Sequence, residues 1–202
     1  KQLLNKNLLK KYLSTKNSTK LSSTGKVLIC VTGGLAVGVS IICIPFTVLP
    51  ALRKVCLPYV PATTEQLLGI SKALAGRSGK LLDVGSGDGR IVFTAAKLGF
   101  RADGVELNPW LVYYSRISAL LKPEYRRSKF FRCDLWKFDL KPYNNIVIFG
   151  VEQMMKDFEQ KLITETNKDT VVVACRFPLP NMIPVETIGS GVDTVWKYVV
   201  KR

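Results

Sequence analysis

The ten residues LLDVGSGDGR, 81–90, constrain the fold more than any other part of the chain. An apolar run ends in an acid, Asp83, and three glycines follow at alternate positions, Gly85, Gly87 and Gly89. A short apolar run bounded by turn residues is the pattern of a buried strand. Glycines directly after it let the backbone turn sharply and bring its N–H groups close to a ligand. The segment therefore predicts a strand, a tight turn and a helix, the unit from which layered α/β sheets are built. Ligands of such sheets bind beyond the carboxyl ends of the strands, so this turn is the first candidate site. Its spacing is not the GxGxxG of a dinucleotide-binding turn, because the third glycine comes one residue early and Arg90 stands where the helix would pack. No GKS or GKT follows, as a phosphate-binding loop requires.

The same alternation runs on from Thr63. Thr63 with Gln66 has capping-box form, and Leu67, Ile70 and Leu74 repeat on one helical face up to Gly76. Strands are expected at 80–84 and 101–106, with a helix between them closed by Gly99. A further helix opens with Asn108 as cap and Pro109 at its first position, and reaches about Leu121. More strands are expected at 128–134, 144–149, 170–177 and 193–200, with Met155, Phe158 and Leu162 marking one face of a helix after 144–149. Such a pattern predicts a parallel sheet covered by helices on both faces.

Residues 27–49 carry no charge, and 23 residues at ~1.5 Å each cross a ~30 Å hydrocarbon layer with some tilt. Gly34 and Gly38 within this expected membrane segment form a GxxxG, which permits close helix packing. The leader, 1–26, holds seven Lys, no acid, several Ser and Thr, and Leu4, Leu8 and Tyr12 at helical spacing. That is the composition of a mitochondrial targeting segment; the alternative is a basic patch beside an endoplasmic-reticulum anchor. Prolines 50, 58 and 61, with Arg53 and Lys54, mark a linker over 50–62, and a folded domain is expected over 63–202. Basic residues flank the apolar segment on both sides, so charge bias does not orient it. The net charge of +15 is mainly a property of this N-terminal part: residues 1–64 hold nine Lys or Arg and no acid, against 21 bases and 15 acids in 65–202. A nucleic-acid partner is therefore not implied. The chain has no His, and its five Cys form no CxxC, which excludes His-dependent metal sites and Ser/His or Cys/His dyads. The cysteines read as buried free thiols, and no metal is expected.

Leu81, Leu82, Asp83, Gly85, Gly87 and Gly89 match hhDxGxGxG, which resembles the first motif of class I S-adenosylmethionine-dependent methyltransferases. The resemblance implies that the turn, Ser86 included, clears room for a nucleoside and an amino-acid tail. Glu106 ends the second strand, where a carboxylate accepts hydrogen bonds from both ribose hydroxyls, and Leu107 and Asn108 follow it. Asp134 ends the third strand, where that family places an acid near the adenine amino group, with Leu135 beside it. The (N/D)PPY of amino-methylases acting on planar amines is missing: 144–150 read NNIVIFG. Around the same rim stand Trp110, Tyr113, Tyr114, Trp136, Phe149 and Phe177, of which Trp110, Phe149, Trp136 and Phe177 are the candidates for a channel that takes an alkylammonium through its π faces. The catalytic base stays unassigned, with Asp134 and Glu152 as weak candidates by strand position.

The strings LRKVCLPYVPATT (52–64), DVGSGDGRIV (83–92), ELNPWLVYYSR (106–116), DLWK (134–137), VIFGVEQMM (147–155), ACRFPLP (174–180) and DTVWKY (193–198) together resemble the membrane-anchored mitochondrial protein-lysine methyltransferases. This resemblance implies an α/β, class I, seven-stranded S-adenosylmethionine-dependent methyltransferase fold preceded by one N-terminal membrane segment. It implies trimethylation of one lysine on a small hydrophobic protein of the mitochondrial inner membrane. The ATP synthase c-subunit is the expected substrate and the adenine nucleotide translocase the alternative. A lipid or quinone methyltransferase and a non-catalytic assembly factor are the other classes. The intact Gly85, Glu106 and Asp134 speak against the last.

Overall fold

The computed structural model describes residues 22–52 and 60–201; most of the basic leader, with Arg53, Lys54 and Pro58 of the linker, lies outside the described residues. The chain divides into two compact units, Lys1–Leu57 and Pro58–Arg202.

Among the described residues of the first unit a helix, α1, runs from Ser23 to Leu52. Ser22 starts it, its Oγ accepting from the Gly25 N–H at 3.1 Å. The hydroxyls of Thr32 and Ser40 fold back onto the helix's own carbonyls of Leu28 and Ala36, each at 2.8 Å, so neither needs water. From Ser23 to Ser40 no side chain is buried, and Val27, Leu28, Ile29, Val31, Leu35 and Val37 all face outward. A helix apolar all round is at home in an apolar surrounding, and this stretch, with a mean hydropathy of 1.4, is long and apolar enough to cross a membrane. α1 continues past Pro45 and Pro50, and so takes in the first three residues of the expected linker. Cys30 lies exposed on it, against the expectation of a buried thiol.

The second unit is built on a seven-stranded sheet. Its elements are α2 (Thr64–Ala73), β1 (Lys80–Val84), α3 (Arg90–Lys97), β2 (Arg101–Glu106), α4 (Pro109–Leu121), β3 (Lys129–Arg132), β4 (Asn145–Phe149), α5 (Glu152–Glu165), β5 (Val171–Cys175), β6 (Glu186–Ile188) and β7 (Val195–Val199). The order across the sheet is β3-β2-β1-β4-β5-β7-β6. β1 to β5 are parallel, as expected; β7 runs antiparallel to β5, and β6 antiparallel to β7. The departure has a simple cause. A parallel return needs a crossover element, usually a helix, and between Cys175 and Val195 the chain forms no α-helix, only the three-residue β6 and one 3₁₀ turn.

The caps anticipated from composition form. Thr63 Oγ1 accepts from the Gln66 N–H at 3.1 Å, and Gln66 Oε1 accepts from the Thr63 N–H at 2.9 Å. Asn108 Oδ1 accepts from the Trp110 N–H at 3.0 Å. Alternation along the strands then splits the core between the two faces. Leu81, Val147, Val171 and Val173 pack with Ile70 of α2 and Leu74 just past its end, Ile91 and Val92 of α3, and Val112 of α4. Leu82, Val84, Ile146, Ile148 and Val172 pack with Met155, Phe158 and Leu162 of α5 and with Leu140, Tyr143 and Leu179 from loops. Helices cover both faces, but unequally: three lie on one side, and α5 with loops on the other. Glu159, buried in α5, accepts from the Asn181 N–H at 2.9 Å, and Tyr198 Oη accepts from the Leu179 N–H at 3.0 Å, which ties down the loop after β5.

Gly89 caps α3 with φ +86°, and a Cβ built on it would stand 2.8 Å from the Phe130 ring. Left-handed backbone costs a side chain ~1–2 kcal/mol and overpacking ~1–3 kcal/mol. Gly89→Ala should therefore destabilise the folded chain by about 2–5 kcal/mol, read as a lower urea midpoint with an unchanged slope.

Candidate active site

The carboxyl ends of β1, β2 and β3 converge on the glycine turn. The carbonyl of Val105 in β2 accepts from both Gly85 N–H (2.9 Å) and Ser86 N–H (3.0 Å), which seats the turn against the neighbouring strand. The turn closes with the Gly89 N–H on the Ser86 carbonyl at 2.8 Å. Gly85, Gly87 and Gly89 all have positive φ, +75°, +53° and +86°, which explains why glycine alternates here. Around Gly85 the space a side chain would take is almost open, whereas the missing side chain of Gly89 is replaced by Phe130 and Phe93. One of the three thus clears room at the turn, and the third serves packing.

Glu106 sits at the end of β2 with each carboxylate oxygen bound once to the backbone: Oε2 accepts from Gly87 N–H at 3.1 Å and Oε1 from Asn108 N–H at 2.7 Å. Each oxygen keeps a lone pair for a further donor. Asp134, past the end of β3, gives Oδ1 to the Trp136 N–H at 3.1 Å and so caps a short 3₁₀ turn that begins at Leu135. Leu107 is exposed beside Glu106.

Asp83 is fully buried, and neither of its carboxylate oxygens has a hydrogen-bond partner in the chain; the buried Ser86 Oγ lacks one too. Buried polar groups are nearly always paired, so this concentration at one turn requires a reason. Burial pushes the Asp83 carboxyl well above the usual carboxylate range, and the nearby charges of Glu106 and Asp88 push it further.

The proposed channel residues divide. Phe149, at the end of β4, packs against the core under α2, α3 and α4, while Phe177 packs against the core under α5. Trp110 and Trp136 are partly exposed. Glu152 opens α5 with an exposed side chain. Three positioning contacts were not legible in the sequence. Ser115, buried in α4, donates from Oγ to the Gly87 carbonyl at 3.2 Å and holds the turn from outside. Arg90 pairs with Asp88, Nη2 to Oδ2 at 2.7 Å, and donates through Nη1 to the Ala62 carbonyl at 2.7 Å, tying the turn to the segment before α2. Gly104 in β2 leaves room for Ser86: a Cβ there would stand 2.6 Å from Ser86 Oγ. Only the serine at helical spacing in α4 carried a signal, since a small polar residue interrupts an otherwise apolar line.

Sheet order and site together define a class I S-adenosylmethionine-dependent methyltransferase. An RNA methyltransferase from Salinibacter ruber, solved with S-adenosyl-L-homocysteine, superposes with a TM-score of 0.63 at 25% identity, over 71% of this chain and 95% of that one. The model of the ANTKMT methyltransferase domain matches residues 83–186, and that of the ATP synthase subunit-C lysine N-methyltransferase N-terminal domain matches 19–53. The human ATP synthase subunit-C lysine N-methyltransferase is 52% identical over 182 residues, 90% of this chain and 78% of its own length. The mouse adenine nucleotide translocase lysine N-methyltransferase is 42% identical over 156 residues, 75% of this chain and 68% of its own. The chain belongs to this family of protein-lysine N-methyltransferases, with S-adenosylmethionine as cofactor.

The residues present suit that cofactor. An ammonium group beside Asp83 would supply the missing partner of its carboxylate, and the free lone pairs of Glu106 suit a diol. Until such a cation is bound, Asp83 stabilises the folded chain through its protonated form. That contribution is fully present below the ordinary carboxylate pKa of ~3.9 and is lost as pH rises through the raised value. Urea titrations of the cofactor-free protein should show stability falling across that window by up to ~1.4 kcal/mol per pH unit, a component absent from Asp83→Asn.

Proposed function

We propose that this chain trimethylates one lysine of the ATP synthase c-subunit at the mitochondrial inner membrane, with α1 as its anchor. The observation that carries the choice of substrate is the pair of identities: 52% with the human protein named for that proteolipid, over nine-tenths of the chain, against 42% over three-quarters with the mouse protein named for the translocase. The match of 19–53 to the N-terminal domain of the ATP synthase enzymes points the same way and covers all of α1. A tether has a physical purpose for such a target, because confining enzyme and a lipid-buried substrate to one surface raises their effective concentration.

In this reading Asp83 holds the cofactor's α-ammonium, at the floor of the turn formed by Gly85, Ser86, Gly87 and Gly89. Glu106, oriented by the Gly87 and Asn108 N–H groups, accepts from the two ribose hydroxyls. Asp134 faces the adenine amino group with the carboxylate oxygen that the Trp136 N–H leaves free, and Leu107 and Leu135 flank the base. When bound, the cofactor supplies an electrophilic sulfonium methyl for in-line transfer to an amine. Of the aromatic candidates, Trp110 and Trp136 stay accessible past the strand ends, and their π faces would receive the alkylammonium. A lysine titrates at ~10.4 in water, and apolar walls lower that value by disfavouring the charged form. The proton then leaves to water or to a carboxylate at the rim, Glu152 or Asp134. Holding the neutral amine near the methyl replaces a bimolecular encounter with an intramolecular one.

The test is intact-mass measurement of inner-membrane proteolipids from cells that carry either this chain or Glu106→Ala in its place. Losing two charge-assisted hydrogen bonds, at ~1.5–3 kcal/mol each, should weaken cofactor binding on the order of 100-fold or more. The c-subunit should then lose the mass of three methyl groups in the variant alone. If the c-subunit keeps its mass while the translocase loses methyl groups, the translocase is the substrate.

A further inference from the structure

α4 has an unusual outer face. Its inward line, Val112, Ser115 and Ala119, is buried. A surface helix normally places charges opposite such a line. Here the outward positions are Tyr113 (63% exposed), Tyr114, Ile117, Leu120 (83%) and Leu121 (76%). Spacings of three, four and seven put them on one side of the helix. The single charge within α4, Arg116, is drawn aside: its Nε and Nη2 donate to the Phe130 carbonyl at 3.0 and 2.7 Å, against β3. Directly beyond the helix come Lys122, Arg126, Arg127 and Lys129, all exposed, against one acid in that stretch, Glu124. A contiguous apolar patch on a folded surface marks an interaction site. A patch of aliphatic side chains and tyrosines with a basic rim is the chemistry of a helix lying in a lipid interface: hydrocarbon below, amphipathic rings at headgroup level, cations against anionic headgroups.

We propose that the outer face of α4 seats in the headgroup layer of an anionic bilayer, so that the methyltransferase domain rests on the membrane as well as being tethered to it. The proposal rests on the reading of α1 as a membrane span. Eight peptide steps join Leu52 to Val60, and a chain covers at most ~3.6 Å per residue. A spanning α1 therefore keeps the domain within ~30 Å of lipid. α4 begins just past Asn108, whose N–H is held by Glu106, so its first turns lie at the active-site end of the sheet, while Leu120, Leu121 and the basic residues after them lie towards the amino end.

The full chain, carrying benzoylphenylalanine in place of Leu121, of Leu35 on α1 (69% exposed) or of Ile183 in the loop before β6 (87% exposed), is reconstituted into phosphatidylcholine vesicles with or without phosphatidylglycerol and irradiated. Lipid adducts are then read by mass spectrometry. Position 121 should give lipid adducts several-fold above position 183. Phosphatidylglycerol should raise them, and the pair Arg126→Gln and Arg127→Gln should return them towards the level on neutral vesicles. Adducts at 35 but none at 121 overturn the proposal while leaving the anchor in place; their absence at 35 overturns both. Adducts at 121 to a protein, whether this chain or another, assign the face to a protein partner and equally overturn it.

Discussion

The carboxylate of Glu106 joins the parts on which the site depends. Its two oxygens reach Gly87 in the turn after β1 and Asn108 at the start of α4, while its own backbone continues β2. Two loops from different strands are thereby held at one distance by one side chain. Ser115 closes the arrangement from the helix side by binding the Gly87 carbonyl. The turn is held by backbone and side chain from both neighbours. Preorganisation of this kind is what binding and catalysis draw on, since little has to be ordered at the moment of reaction.

Much of this was legible in the chain, for local reasons. Glycines at alternate positions after an apolar run, an Asn-Pro pair before a helix and a Thr three residues ahead of a Gln are signals carried by neighbouring residues, and each formed as read. The acids at strand ends followed once the strands were located. What could not be read depends on distant partners. β6 is three residues long and exists because β7 offers it an edge. The antiparallel sense of β7 follows from a missing crossover helix. Arg90 looked like a misfit in a dinucleotide turn, yet it reaches the Ala62 carbonyl, 28 residues earlier in the chain. The aromatic rim was the weakest expectation, because position at a strand end does not decide which face a ring joins: Phe149 and Phe177 went to opposite cores.

The unequal covering of the sheet has its own logic. One face carries α2, α3 and α4, and so supports the whole length of the cofactor turn. The other is closed by α5 and by loop segments, fixed at two points by Glu159 and Tyr198. The segment that follows β5 is thereby pinned in place. The side that must recognise one common cofactor is built from regular elements.

Phe130 carries a consequence of another kind. Its ring lies where a Cβ would stand on both Gly89 and Gly104, at 2.8 Å from the first and 2.9 Å from the second. One aromatic side chain on an edge strand thus dictates the absence of side chains on a helix cap and on the adjoining strand. A lineage that shrank the ring could restore a side chain at 104, provided Ser86 also became smaller, and could not restore one at 89 without strain, because the backbone there is left-handed. The residues at 86, 104 and 130 are accordingly coupled through the one space they share.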